Sequence, residues 1–174
     1  MMDKLGLKEY RFEADGELIS ELLALLAEAE VDMTIFYRRL ADIECEQDAD
    51  NVSEQDLIAP LLDAWYRFEA VNSSYQTRFA AWLRDYIKRL QSEHSQQVVR
   101  KQSMNAVNPK YVLRNYLSQQ AIDKAEQGDY SLVHVLLEVM RHPYNEQVDK
   151  EQFAQKRPEW ARNKAGCSML SCSS

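Results

Sequence analysis

The chain has 174 residues, a formal net charge of −7, 45% hydrophobic residues and 28% charged residues. A chain of this length builds a core without disulfides or metals, and one domain is the expectation. The acidic balance disfavours nucleic-acid phosphates and anionic membrane surfaces as partners. Four glycines and four prolines leave room for long helices and argue against a many-turned β fold. The expected class is all-α, an irregular helical bundle with an irregular C-terminal tail.

The opening Met1-Met2-Asp3-Lys4-Leu5-Gly6-Leu7 lacks the apolar core of a secretory signal, and Leu5 and Leu7 read as the end of an element begun upstream. Residues 15 to 30 form an amphipathic helix opened by Asp15 or Gly16, with Leu18, Ile19, Leu22, Leu23, Leu26 and Ala29 on one face. A second helix, about 33 to 45, starts at an Asp32 cap and presents Phe36, Leu40 and Ile43. The acidic run from Glu44 to Asp56 reads as a solvated loop. Its Asp48-Ala49-Asp50-Asn51 echoes a calcium loop, but the Gly and the twelfth-position Glu are missing.

Ser53 and Asp56 signal another helix, with Pro60 in its first turn and Leu61, Leu62, Trp65 and Phe68 on its apolar face. The longest helix, about 73 to 91, carries Tyr75, Phe79, Trp82, Leu83, Tyr86, Ile87 and Leu90, whose spacing points to core packing rather than a ligand box. The basic run from Lys88-Arg89 to Arg100-Lys101 reads as a solvated helix face. A more polar helix or loop covers 94 to 106.

Asn108 and Pro109 then have the form of a cap and first helical position, and Gly128 the form of a C-cap. Asp129 restarts a helix that is apolar nearly all round and therefore expected to be central and buried. The pair 109–127 and 130–141 makes an αα-hairpin (about 109–141) with a two-residue turn. Pro143 ends it, and the remainder is irregular with a turn near Pro158 to Asn163.

Among the chemical groups, His134 is expected as a hydrogen-bonded core or boundary residue, and His94 and His142 at the surface. None has metal-ligand spacing, and no glycine-rich phosphate cradle occurs. No catalytic, cofactor-binding or metal residue is therefore assigned. Cys45 reads as a buried inert thiol. Cys167 and Cys172 lie in a small polar tail where a thiol is accessible; an idle tail and a redox element stand equal there. Three cysteines give no secreted disulfide framework, and no stretch of about 18 apolar residues exists for a membrane span; a cytoplasmic setting fits.

Five pieces occur in order: Asn108-Pro109-Lys110-Tyr111-Val112-Leu113-Arg114-Asn115-Tyr116-Leu117, Gly128-Asp129, Pro143-Tyr144, Pro158-Glu159-Trp160-Ala161 and Ser171-Cys172-Ser173-Ser174. Together with Lys4-Leu5-Gly6-Leu7 and Phe36-Tyr37-Arg38-Arg39-Leu40, they resemble the C-terminal portion of the selenoprotein O (SelO/YdiU) family. Ser118 and Asn145 depart mildly from its usual Ala and Asp. The resemblance implies a parent protein with a kinase-like (pseudokinase) fold that uses ATP and Mg²⁺ to transfer AMP to Ser, Thr or Tyr of other proteins. It also implies that the catalytic residues lie N-terminal to this segment, so that the segment alone is inactive and carries no cofactor.

On the same basis, residues 1–164 are the helical C-terminal region of a larger protein and 165–174 a flexible Cys-containing tail. Asn108, Pro109, Tyr111, Arg114 and Asn115 are structural motif residues. Cys172 matches a position that is selenocysteine in some members and is implied to bond to an upstream Cys; pairing with Cys167 stays open. The expected partners are the upstream kinase-like domain and protein substrates, with no nucleic acid and no membrane. Two other functions remain: a free-standing helical protein-interaction module and a small thiol redox element.

Overall fold

The computed structural model describes residues 1–46, 48–164 and 166–167. The fold is all-α: among the described residues there are eight α-helices and four short 3₁₀ turns, with no sheet beyond one isolated bridge between Val31 and Trp65. The chain divides into two compact units, Met1–Asn108 and Pro109–Ser174.

In the first unit, α1 (Met2–Leu5), α2 (Phe12–Glu28), α3 (Met33–Leu40), α4 (Glu54–Ile58), α5 (Ser73–Gln91) and α6 (Gln97–Val107) surround one core. Helix α5 is its spine. Asn72 caps it by accepting the Tyr75 N–H at 2.8 Å, and all seven residues of the expected stripe are buried. The aromatic rings interlock edge to face, Trp65 against Phe79 at 4.9 Å and Phe36 against Trp65 at 6.1 Å. The polar tips of Trp65, Trp82 and Tyr86 are satisfied. Trp65 Nε1 donates to Tyr75 OH (3.2 Å), Trp82 Nε1 to the Leu18 carbonyl (2.8 Å) and Tyr86 OH to the Leu5 carbonyl (2.7 Å).

Helix boundaries differ from the sequence reading where side chains intervene. Helix α2 opens at Phe12, three residues before Asp15, because the Asp15 carboxylate reaches back to accept the Arg11 N–H at 2.7 Å. Asp32 caps α3 as expected, accepting from Ile35 N at 3.1 Å, but the helix stops at Leu40. Ser53 caps α4. Pro60 therefore falls seven residues in rather than in the first turn, and the helix passes into a 3₁₀ turn, Ala59–Ala64.

The second unit holds α7 (Asn115–Ala125), α8 (Ser131–Arg141) and two 3₁₀ turns, Glu151–Ala154 and Glu159–Ala161. The hairpin is present but shorter than expected. Asn108 ends α6 instead of opening a helix, and 109–114 is not helical. The Pro143 carbonyl accepts both Lys110 N (2.7 Å) and Tyr111 N (3.0 Å), and the Tyr111 ring is buried, so tertiary packing overrides the local cap signal. Gly128 does adopt the left-handed conformation (φ 83°), in a five-residue connection rather than a two-residue turn.

Helix α8 is not buried all round. Leu136 and Val139 are buried and Leu132, Val135 and Met140 pack beside them, whereas Val133 and Leu137 are exposed. His134 is exposed with them, not a core or boundary residue; His94 and His142 are exposed as expected.

Candidate functional site

Charged side chains are the groups that do chemistry, and this chain buries an unusual set of them. The basic run expected as a solvated face is split. Lys88 and Lys101 are at the surface, paired with Asp50 (2.8 Å) and Asp42 (2.6 Å), but Arg89 and Arg100 are buried.

Arg89 lies on the apolar side of α5, one turn beyond Tyr86, and faces Asp15 on α2. Its Nε meets Asp15 Oδ1 at 2.6 Å and its Nη2 meets Asp15 Oδ2 at 3.1 Å, a bidentate pair with Asp15 fully shielded from solvent. The remaining donors reach the Glu9 carbonyl (2.6 Å) and Glu93 Oε1 (2.9 Å). Glu93 in turn accepts the backbone N–H groups of Lys8 (3.0 Å) and Glu9 (3.3 Å). Burial by itself raises the Asp15 pKa. The hydrogen bonds from Arg89 and the Arg11 N–H, with the charges of both arginines, outweigh it and hold the carboxyl below its usual range.

Arg100 is 2% exposed. Its guanidinium caps the end of α3 through the carbonyls of Ala41 (3.1 Å) and Ile43 (2.6 Å), where the helix dipole is negative, and also meets Tyr86 OH (3.3 Å) and Gln97 Oε1 (3.1 Å). This explains the early stop of α3. Burial pushes the Cys45 thiol up, only partly countered by the nearby Arg100 charge, so Cys45 is a poor nucleophile as expected. The acidic loop is pinned by Arg84, which donates to the carbonyls of Ala49 and Val52 at 3.1 Å each.

A groove of about 430 Å³ runs between α2 and α5 over Leu18 and Trp82. Its rim carries Glu17, Glu21 and Asp85, and its two arginines are both held by carboxylates: Arg89 as above, Arg78 by Glu21 (3.0 Å) and Glu28 (2.8 Å). Such a rim repels a triphosphate and offers it no free cation. Among the described residues no three His, Cys, Asp or Glu side chains are placed to share a metal ion. The lining of this groove therefore does not suit ATP with Mg²⁺.

The motif residues separate between the two units. Asn108 is buried in the first, donating from Nδ2 to the Lys4 carbonyl at 3.0 Å. Pro109, Tyr111, Arg114 and Asn115 belong to the second, where Tyr111 OH reaches the Gln147 carbonyl (3.4 Å), Arg114 precedes α7 and Asn115 is its first residue.

The last described residues are seated on α7. Lys164 pairs with Asp123 at 2.9 Å, and Gln119 donates to the other Asp123 oxygen at 2.7 Å. Gly166 has φ 79°, and a Cβ there would collide with Gln119 Oε1. Cys167 is 4% exposed among Tyr116, Phe153 and their neighbours, which corrects the expectation of an accessible thiol. Its backbone N–H is tied to the Lys164 carbonyl at 3.0 Å. Cys172 and the rest of the Ser171–Ser174 motif lie outside the described residues.

Sequence reasoning missed Asp15, Arg89, Glu93 and Arg100. A signal existed: Asp15 is in register with Leu18 and Leu22, and Arg89 with Trp82 and Tyr86, so two opposite charges interrupt two apolar stripes.

A family model described as protein adenylyltransferase SelO matches residues 1–141. A protein nucleotidyltransferase YdiU of Rhodopirellula baltica is 52% identical over 179 residues, covering 100% of this chain and 33% of the relative. Its namesake from Aromatoleum aromaticum is 52% identical over 98% of the chain and 31% of its own length, and that from Methylobacillus flagellatus 43% identical with the same coverage. The chain thus spans about a third of the length of these curated relatives. No helix among the described residues is long and apolar enough to cross a membrane. The chain belongs to the protein adenylyltransferase SelO family.

Proposed function

We propose that this chain is a helical, non-catalytic segment of a protein adenylyltransferase that moves AMP from ATP to Ser, Thr or Tyr of target proteins. The observation that carries the reading is the combination of family membership with the internal use of the buried charges. The buried Arg89 and Arg100 are engaged by the fold, and the part-exposed Arg78 is paired with Glu21 and Glu28, so none of the three is left to bind phosphate. On this reading the ATP and Mg²⁺ sites, and the surface that meets protein substrates, belong to a kinase-like part outside these residues. Its contribution is structural: it holds the hairpin, and the residues seated on α7, against that part.

A redox contribution is the finer half of the proposal. Cys167 is packed and anchored, which favours Cys172 over Cys167 as the reactive thiol and a partner elsewhere over a local disulfide. A reducing, cytoplasmic compartment agrees with the unpaired, buried Cys45 and Cys167.

Incubation of the purified chain with labelled ATP, Mg²⁺ and a protein acceptor tests the first half. No label transfer is expected from the chain, and transfer is expected from a full-length relative. Label transfer by the chain alone overturns it. Oxidation followed by peptide mass spectrometry tests the second: a Cys167–Cys172 crosslink would overturn the preference for a distant partner.

A further inference from the structure

We propose that the face of α8 formed by Tyr130, Val133 and Leu137 is a docking face for the part of the family protein that lies outside this chain. The proposal rests on the reading that this chain is a segment of a longer adenylyltransferase.

Val133 and Leu137 are four apart and share one side of α8, and Tyr130 is the residue that immediately precedes the helix, three before Val133. Tyr130, Val133 and Leu137 are 59%, 40% and 50% exposed. The side that carries Leu136 and Val139 is already buried against α7 and the 3₁₀ turns. A surface helix of a globular protein keeps one apolar stripe and makes its other side polar. In α8 the apolar arc runs on into the exposed side. Isolated exposed apolar residues are ordinary, but an apolar arc that continues in helical register past its buried part is the pattern of a helix with a further neighbour.

The small size of the unit points the same way. Nine described residues form its buried cluster, against twenty-seven in the first unit. A core this thin gains much from a further covering layer. The occupant follows from length. The relatives match over their full correspondence to this chain yet are about three times as long, so about two-thirds of the polypeptide is unaccounted for and available to cover the stripe.

Site-resolved labelling tests the proposal. A Leu137→Cys variant of this chain, and the same change at the aligned position of the full-length Rhodopirellula baltica relative, are reacted with a maleimide. Each rate is normalised to that of the same protein in denaturant. Labelling within threefold of the denatured rate is expected for this chain, and labelling at least tenfold slower for the full-length relative. Equal fast rates in both overturn the docking face. Slow labelling in this chain alone also overturns it, and sedimentation then tells a second copy from a contact within the chain.

Hydroxyl-radical footprinting of Tyr130 and Leu137 in the two unsubstituted proteins reads the same difference without a substitution. Failure of the wider reading has a separate signature, AMP transfer by this chain alone, which the labelling rates do not influence.

Discussion

The two units of this chain reach stability by different routes. The first is deep and stitched: a spine helix, α5, carries interlocked aromatics, and where charges interrupt the apolar stripes they are met by opposite charges or carbonyls. The second is shallow. One helical hairpin and two short 3₁₀ turns share a small cluster, and large apolar side chains such as Leu113, Ile122 and Leu137 stand in solvent. The first unit buries charges against partners, and the second tolerates incomplete burial of its apolar side chains. A buried charge without its partner is a greater threat to a fold than a leucine in water.

The largest test of this contrast removes one half of the buried pair. Arg89→Ala leaves Asp15 charged and enclosed, and a loss of about 3–5 kcal/mol is expected. Urea denaturation followed by Trp65 and Trp82 fluorescence measures it in the first unit, while Trp160 reports the second.

The same pair has a pH signature. The Asp15 pKa in the fold lies below its ordinary value of 3.8, so the unfolded chain binds the proton more readily. The stability it contributes is complete above that ordinary value and is lost as pH falls towards the lower pKa of the folded state. An Asp15→Asn variant should show a flatter decline in stability below about pH 4 than the unsubstituted chain. Parallel curves would show that Asp15 does not couple the fold to protons.

In the second unit the sharpest comparison is between neighbours. Leu136→Ala should cost about 2–4 kcal/mol because its side chain fills the cluster. Leu137→Ala, one position on, should stay within about 0.5 kcal/mol. Chemical denaturation read at Trp160 separates them, and equal costs would mean that both sides of α8 are already covered in this chain.

Between these lies Gly166→Ala, expected to cost about 1–2 kcal/mol because a left-handed residue gains a side chain that meets Gln119. It should also raise the rate at which a thiol reagent modifies Cys167.

Much of the fold was legible in the sequence. The α5 stripe from Tyr75 to Leu90, the Asp32 and Ser53 caps and the hairpin near Gly128 follow from periodicity and turn chemistry alone. What escaped depends on pairs distant in the chain. Arg89 looks like a surface residue until Asp15, 74 positions away, is brought beside it. Asn108-Pro109 looks like a helix start until the Pro143 carbonyl takes the next two N–H groups. Helix α8 was read as buried from its composition, and only half of that burial is realised within this chain. The assignment to a family was legible too, through ordered short motifs, although these serve two separate units rather than one constellation.

One detail of the first unit bears on its dynamics. Lys4, Leu5 and Glu9 offer their carbonyls to Asn108, Tyr86 and Arg89, and the Lys8 and Glu9 amides point at Glu93. Segments with so little regular helix ordinarily open on their own. Here the leading residues are basted to α5 and α6 at several points, so they come loose only when those helices part. Deuterium uptake at Lys8 and Glu9 should therefore keep pace with the middle of α5.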